Sequence, residues 1–256
     1  LSQYKVGFDV IDGAELPQFE PALKRRYAKA VWHTETGSVR DPGGLVQAYQ
    51  AAARARGAAV VAARARTVVE DGDGAKVLLE GGGDIAAKTV VIAAGAAAHD
   101  LTRTMGYRLP LAAERGYHRH FADAGEHKLS RPIHDTGGGY VVAPMNAGLR
   151  LLSGVELARR DAPPNLTQIT AVEAEARQTV AMGESVEPAP WHGSRPSTPD
   201  GMPVIGRAPH HPHVVFAFGH GHIGLSTGPI TGKVVAEIIA GTPTSIPIAA
   251  FSPGRF

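Results

Sequence analysis

Cysteine is absent from this chain of 256 residues. Disulfides, thiolate nucleophiles and cysteine-ligated metals are thereby excluded, and the composition is compatible with a reducing cytoplasm. No apolar run approaches the roughly 18 residues needed to cross a bilayer. The start, Leu1-Ser2-Gln3-Tyr4-Lys5, has no basic segment followed by an apolar one, so it does not read as a signal peptide. An excess of one charge is also missing: the formal net charge is +2. The one basic cluster, Lys24-Arg25-Arg26, reads as a solvated helix face, so nucleic acid is not an expected partner. No Gly-x-Ser-x-Gly element is present, which argues against a serine hydrolase. His210, His211, His213, His220 and His222 lack a Cys, Asp or Glu at ligand spacing, so no metal site is expected.

Hydrophobic residues make up 43% and charged residues 20%, as in soluble globular proteins. Asp41-Pro42 pairs an N-cap residue with a first-turn proline, and Leu45, Ala48, Tyr49, Ala52 and Ala53 follow at helical spacing up to Gly57. Val60-Val61, Val68-Val69 and Val77–Leu79, separated by glycine-rich turns, predict a meander of short strands. Lys88–Gly95 reads as a strand buried on both faces, ending in small residues where a backbone or ligand comes close. A helix is predicted over 166–182, and a last one from Pro229 with Val234, Val235, Ile238 and Ile239 as its apolar face.

The most informative stretch lies near the end. Arg195-Pro196-Ser197-Thr198-Pro199-Asp200-Gly201-Met202-Pro203-Val204-Ile205-Gly206 is followed by Gly219-His220-Gly221-His222-Ile223-Gly224-Leu225-Ser226. A β-rich run there enters a three-glycine loop, and a helix follows. Glycines let a backbone approach a flat or anionic ligand. The unpaired N–H groups of a helix start favour negative charge. A tight strand-to-helix turn with nothing bound has the same pattern.

The block from Trp191 to Gly241 resembles the C-terminal flavin-binding part of the D-amino acid oxidase/dehydrogenase (DAO) family, and in particular bacterial D-amino acid dehydrogenases. Thr89–Gly95, Asp41-Pro42 and Arg115-Gly116-Tyr117-His118 also resemble family segments; Pro144-Met145 and Val155-Glu156-Leu157-Ala158 do so more loosely. The resemblance implies an α/β (α+β) fold: a partial Rossmann-like FAD-binding domain from 41–95 and 191–256, and a mixed-sheet substrate domain from 1–40 and 96–190. It implies FAD as cofactor and oxidation of the C–N bond of a small (D-)amino acid by hydride transfer, giving an imino acid and then a keto acid. It assigns the substrate carboxylate to Arg195, whose guanidinium suits bidentate binding. Tyr117 and Tyr140 are expected to face the substrate or to sit half-buried in a sheet. The expected flavin contacts are Ala94, Gly95, Gly219, His220, Gly221, His222, Gly224, Leu225 and Ser226.

The family also opens with a strand, a Gly-x-Gly-x-x-Gly turn and a helix that hold the cofactor's pyrophosphate. Nothing before Leu45 has that pattern, and Gly81–Gly83 and Gly137–Gly139 lack its context. A missing N-terminal segment, a second subunit, or a flavin-less descendant acting as a non-catalytic binding module would each account for this. With the central strands gone, the flanks of the Thr89–Ala94 strand are expected to be exposed, so the chain by itself should self-associate. Location is expected to be cytoplasmic, compatible with a peripheral position on the inner membrane if a quinone takes the electrons.

Overall fold

The computed structural model describes residues 2–256. The contacts divide the chain into two compact units. The first comprises the segment ending at Ala53, with Gly116–Glu156 and Pro163–Gly193; the second comprises Arg54–Arg115, Leu157–Ala162 and Ser194–Phe256. The division drawn from sequence placed 96–115 with the substrate domain. The structure places it in the second unit, because Ala98, Tyr107 and Leu109 share a core with Val90, Ile92, Val214 and Phe216.

In the first unit, Phe8–Asp12 and Lys29–His33 form an antiparallel pair. The main sheet has seven strands. Gly148–Leu152 lies between the long Ala112–Asp123 strand and Tyr140–Met145, and Ile133–Asp135 pairs beyond the latter. The helix Thr167–Thr179 covers this sheet through Ile169 and Ala176, which join Tyr117, Phe121, Tyr140, Val142 and Leu151 in one core. It starts where Asn165 Oδ1 accepts the Thr167 N–H at 3.1 Å. The helix Pro42–Ala55 forms where expected, with Asp41 Oδ1 accepting the Gly44 N–H at 2.8 Å. None of its residues is buried, and Val46 and Tyr49 are exposed.

In the second unit, His211–Phe218 is the middle strand of three. It pairs antiparallel with Val204–Ala208 and parallel with Val90–Ile92. Both of its faces are covered. Val214, Phe216 and Phe218 enter one core, while Val215 joins Val234 and Val235 of the helix Gly224–Ala240 in another. This is a sheet with a helix on one face, the layering of an α/β domain. Burying each of these side chains contributes about 1.5–3 kcal/mol. Gly241, at φ 69°, ends the helix in the left-handed conformation that glycine tolerates best. Ile239 is 44% exposed and is not part of the apolar face assigned to it.

Val90–Ile92 is an edge strand, and Val91 is 37% exposed, so burial on both faces does not hold. The meander also differs from expectation. Its strands are Ala65–Asp71, Gly74–Leu79 and Asp84–Ala87, whereas Val60-Val61 is irregular and exposed. The polar-small pattern of Asp84–Ala87 gave no strand signal, but its backbone completes the ladder.

Candidate active site

Parallel strands deliver their carboxyl ends to the same edge, where open α/β sheets bind ligands. In the second unit, Val90–Ile92 leads into Ala93-Ala94-Gly95, and the parallel His211–Phe218 leads into Gly219–Ile223. Both glycine turns therefore stand at one edge. Gly95 has φ 54°, and a Cβ built there would meet nothing within 4 Å, so the backbone faces open space. Gly219 and Gly221 have φ 83° and 52°.

The Arg195 segment lies directly against the second turn. Gly221 N donates to Pro196 O at 2.9 Å, and Ser197 and His220 form a backbone bridge. Thus the two halves of the sequence block, far apart along the chain, meet in space. His220 braces the turn: its Nε2 lies 3.0 Å from Thr231 Oγ1, whose proton goes to Thr227 O. That arrangement makes His220 the donor, and burial lowers its pKa, so the ring stays neutral. The helix beginning at Gly224 has no side-chain cap, because its N-cap residue is Ile223; Ser226 Oγ and Thr227 Oγ1 both donate to Ile223 O. The N–H groups of its first turn, including those of Gly224, Leu225 and Ser226, therefore offer donors and the positive end of the helix dipole.

Arg195 makes no side-chain hydrogen bond or ion pair. Its Nη1 is enclosed without a partner, and burial lowers its pKa, partly offset by the charge of Glu114. An enclosed guanidinium N–H without a hydrogen-bond acceptor is costly, and a bound carboxylate would satisfy it. Glu114, which sequence reasoning missed, accepts from Ser197 Oγ at 2.8 Å and from His222 Nε2 at 2.9 Å, both through Oε2. The Ser197 bond is the largest cause holding its carboxyl below the ordinary range. Burial opposes it, and His222 and the Arg195 charge reinforce it. The only sequence hint was position, since Glu114 precedes the Arg115-Gly116-Tyr117-His118 segment on one strand.

Tyr117 and Tyr140 belong to the core of the first unit. The Tyr117 hydroxyl donates to Glu156 Oε2 at 2.5 Å and accepts the Asn165 N–H at 3.0 Å. The Tyr140 hydroxyl lies 2.5 Å from Thr179 Oγ1 and donates to Asp135 Oδ2 at 3.1 Å. Burial would raise the Asp135 carboxyl. Hydrogen bonds from Tyr27, the Gly138 N–H and Tyr140, with the charge of Arg25, hold it below its ordinary value instead.

The histidines separate into unrelated sets. His211 Nδ1 lies 2.6 Å from the Tyr107 hydroxyl, and His213 Nδ1 lies 2.5 Å from Glu70 Oε2. They stand at the start of the strand whose far end carries His220, about 25 Å along at the usual rise. In the first unit, donor atoms of His118, His120 and Glu187 lie within 4.8 Å of one another. His120 Nδ1 binds Glu187 at 2.6 Å, while Arg150 Nε donates to His120 Nε2 at 2.9 Å. Both ring nitrogens are engaged and a guanidinium stands beside them, an arrangement unsuited to a metal ion. Alternation along the strand is the signal that puts His118 and His120 on one face.

A family model described as FAD dependent oxidoreductase (DAO) matches residues 1–238. A D-amino-acid oxidase from Bradyrhizobium diazoefficiens is 37% identical over 250 residues, covering 96% of this chain and 59% of the relative. A D-amino acid dehydrogenase from Paramagnetospirillum magneticum is 30% identical over 195 residues, covering 75% of this chain and 46% of the relative. The crystal structure of glycine oxidase from Geobacillus kaustophilus superimposes with a TM-score of 0.88 at 25% identity, covering all of this chain and 69% of that one. The chain thus spans roughly half to two thirds of the length of these proteins.

Proposed function

The chain belongs to the DAO family of FAD-dependent oxidoreductases, and from that membership we propose that it forms the substrate-carboxylate and flavin-facing part of an enzyme oxidising the C–N bond of a small amino acid. The substrate class follows the D-amino-acid oxidase, D-amino acid dehydrogenase and glycine oxidase names of its relatives. The product is an imino acid, which water hydrolyses to a keto acid.

The residues present fit the cofactor. Gly95 leaves room for close approach, the Gly219–Gly221 turn takes the positive φ that glycine favours, and the first turn of the helix at Gly224 is uncapped. Ala94, Gly95, Gly219, His220, Gly221, His222, Gly224, Leu225 and Ser226 are the residues we assign to holding it. FAD, when bound, would supply the acceptor for the hydride leaving the substrate Cα, the ammonium having first released one proton to solvent. Arg195 grips the carboxylate and so fixes which substrate face is presented. We assign Tyr117 and Tyr140 to shaping the first unit rather than to touching substrate. The free edge of Val90–Ile92 is where we place pairing with a further segment or second subunit. Among the described residues no helix is long and apolar enough to cross a membrane. Oxygen or a peripheral membrane quinone serves as the final electron acceptor in this reading.

The observation that carries the proposal is the unpartnered Arg195 guanidinium beside the Gly219–Gly224 turn. Anaerobic mixing of the FAD-loaded protein with D-alanine or glycine tests it. Reduction should bleach the flavin band, and Arg195→Met should lower kcat/KM by roughly a hundredfold, as loss of a charge-assisted pair costs about 3 kcal/mol. Equal rates for both proteins would remove Arg195 from the site.

A further inference from the structure

Arg195 and Ser197 are i and i+2 on the Trp191–Ser197 strand, so their side chains leave the same face. Ser197 Oγ is bonded to Glu114 Oε2. Arg195 and the Glu114 carboxylate held by Ser197 therefore serve one face, from strand positions about 7 Å apart, twice the rise per residue. Their charges attract each other, but they form no direct pair. Among the described residues Arg195 forms no ion pair, and Glu114 pairs with His222 alone. Both bonds of Glu114 use Oε2, which leaves Oε1 with no hydrogen bond. An α-amino acid carries its carboxylate and ammonium one carbon apart. With one hydrogen bond of about 3 Å at each end, it matches this spacing.

We propose that Glu114, fixed by Ser197 and His222, is the specificity residue that recognises the substrate ammonium while Arg195 holds the carboxylate. The pair thus selects zwitterionic amino acids over plain carboxylic acids. This rests on the function proposed above. His222 and Ser197 act as positioning residues: they hold one carboxylate oxygen so that the other is aimed. The logic is that of paired opposite charges, in which a ligand lacking one charge leaves a protein group unsatisfied.

The test compares amino acids with their deaminated counterparts on the FAD-loaded protein: D-alanine with propionate, and glycine with acetate. Propionate and acetate binding is followed by calorimetry, which needs no turnover, and as competitive inhibition. Glu114→Gln should raise the KM for D-alanine about tenfold or more, the scale of one lost charged hydrogen bond. The same variant should leave propionate binding unchanged or tighten it, because a negative charge beside the anion is gone. Glu114→Asp keeps the charge and should retain most of the discrimination, which guards against misfolding of the Gln variant. Parallel weakening of D-alanine and propionate would show a merely structural role and overturn the inference. So would no change in either, or loss of discrimination in Glu114→Asp. If the wild-type flavin is reduced by neither amino acid and Arg195→Met leaves propionate binding intact, the proposed function itself fails. If wild type is reduced and only the Glu114 variants behave normally, the inference alone fails.

Discussion

Two glycines supply a matched pair for locating the cofactor. Gly95, at the end of Val90–Ile92, has φ 54°, and Gly72, in the meander turn, has φ 62°. A Cβ at either meets nothing within 4 Å. Alanine at each therefore carries the same backbone cost and no clash within the protein. That cost is about 1–2 kcal/mol for an L-residue held in the left-handed region. Each kcal/mol lowers the melting temperature of a chain this size by about 2–4 °C. Gly72→Ala and Gly95→Ala should thus lose similar thermal stability in the absence of FAD. Only Gly95→Ala puts a methyl group where we place the flavin. Its FAD affinity, read by titration of the visible band, should fall about tenfold or more, or about 1.4 kcal/mol, while Gly72→Ala binds as wild type. Equal FAD affinities for the two variants would refute the placement of the cofactor at Gly95.

Two further outcomes are expected. Burial, with the charge of Arg150, lowers the His118 pKa from its ordinary 6.5 to about 4, against the opposing charge of Glu187. Between those values the unfolded imidazole takes up a proton that the folded one resists, so stability should fall as pH drops from 6.5 towards 4. Thermal melts of wild type and His118→Gln over that window should converge at low pH, and parallel curves would contradict the assignment. Tyr140→Phe removes a donor from buried Asp135 and should cost about 1–3 kcal/mol in denaturant melts with the amino acid KM unchanged. A raised KM would return Tyr140 to the substrate.

What the sequence showed was mostly local. Asp41, Gly241 and the Asp71–Gly74 turn announced themselves because capping and positive φ restrict residue choice over a few positions. The Arg195 and Gly219 elements were legible as a family block, though their contact through Pro196 O and Gly221 N was not. Glu114 stayed hidden for the same reason: its partners are 83 and 108 residues away, and no periodicity encodes such pairs. Val60, Val61 and the helix Pro42–Ala55 misled in the other direction. Val60 and Val61 were expected in a strand yet are irregular, and they, Val46 and Tyr49 are exposed, because an apolar pattern does not state whether anything covers it.

The most direct test of the account is the visible absorbance spectrum of the purified chain with excess FAD, recorded before and after anaerobic addition of D-alanine. The expected result is a protein-bound flavin band, retained through gel filtration, that bleaches with the amino acid and persists with propionate. A chain that retains no flavin and leaves the added FAD spectrum unaltered would contradict it.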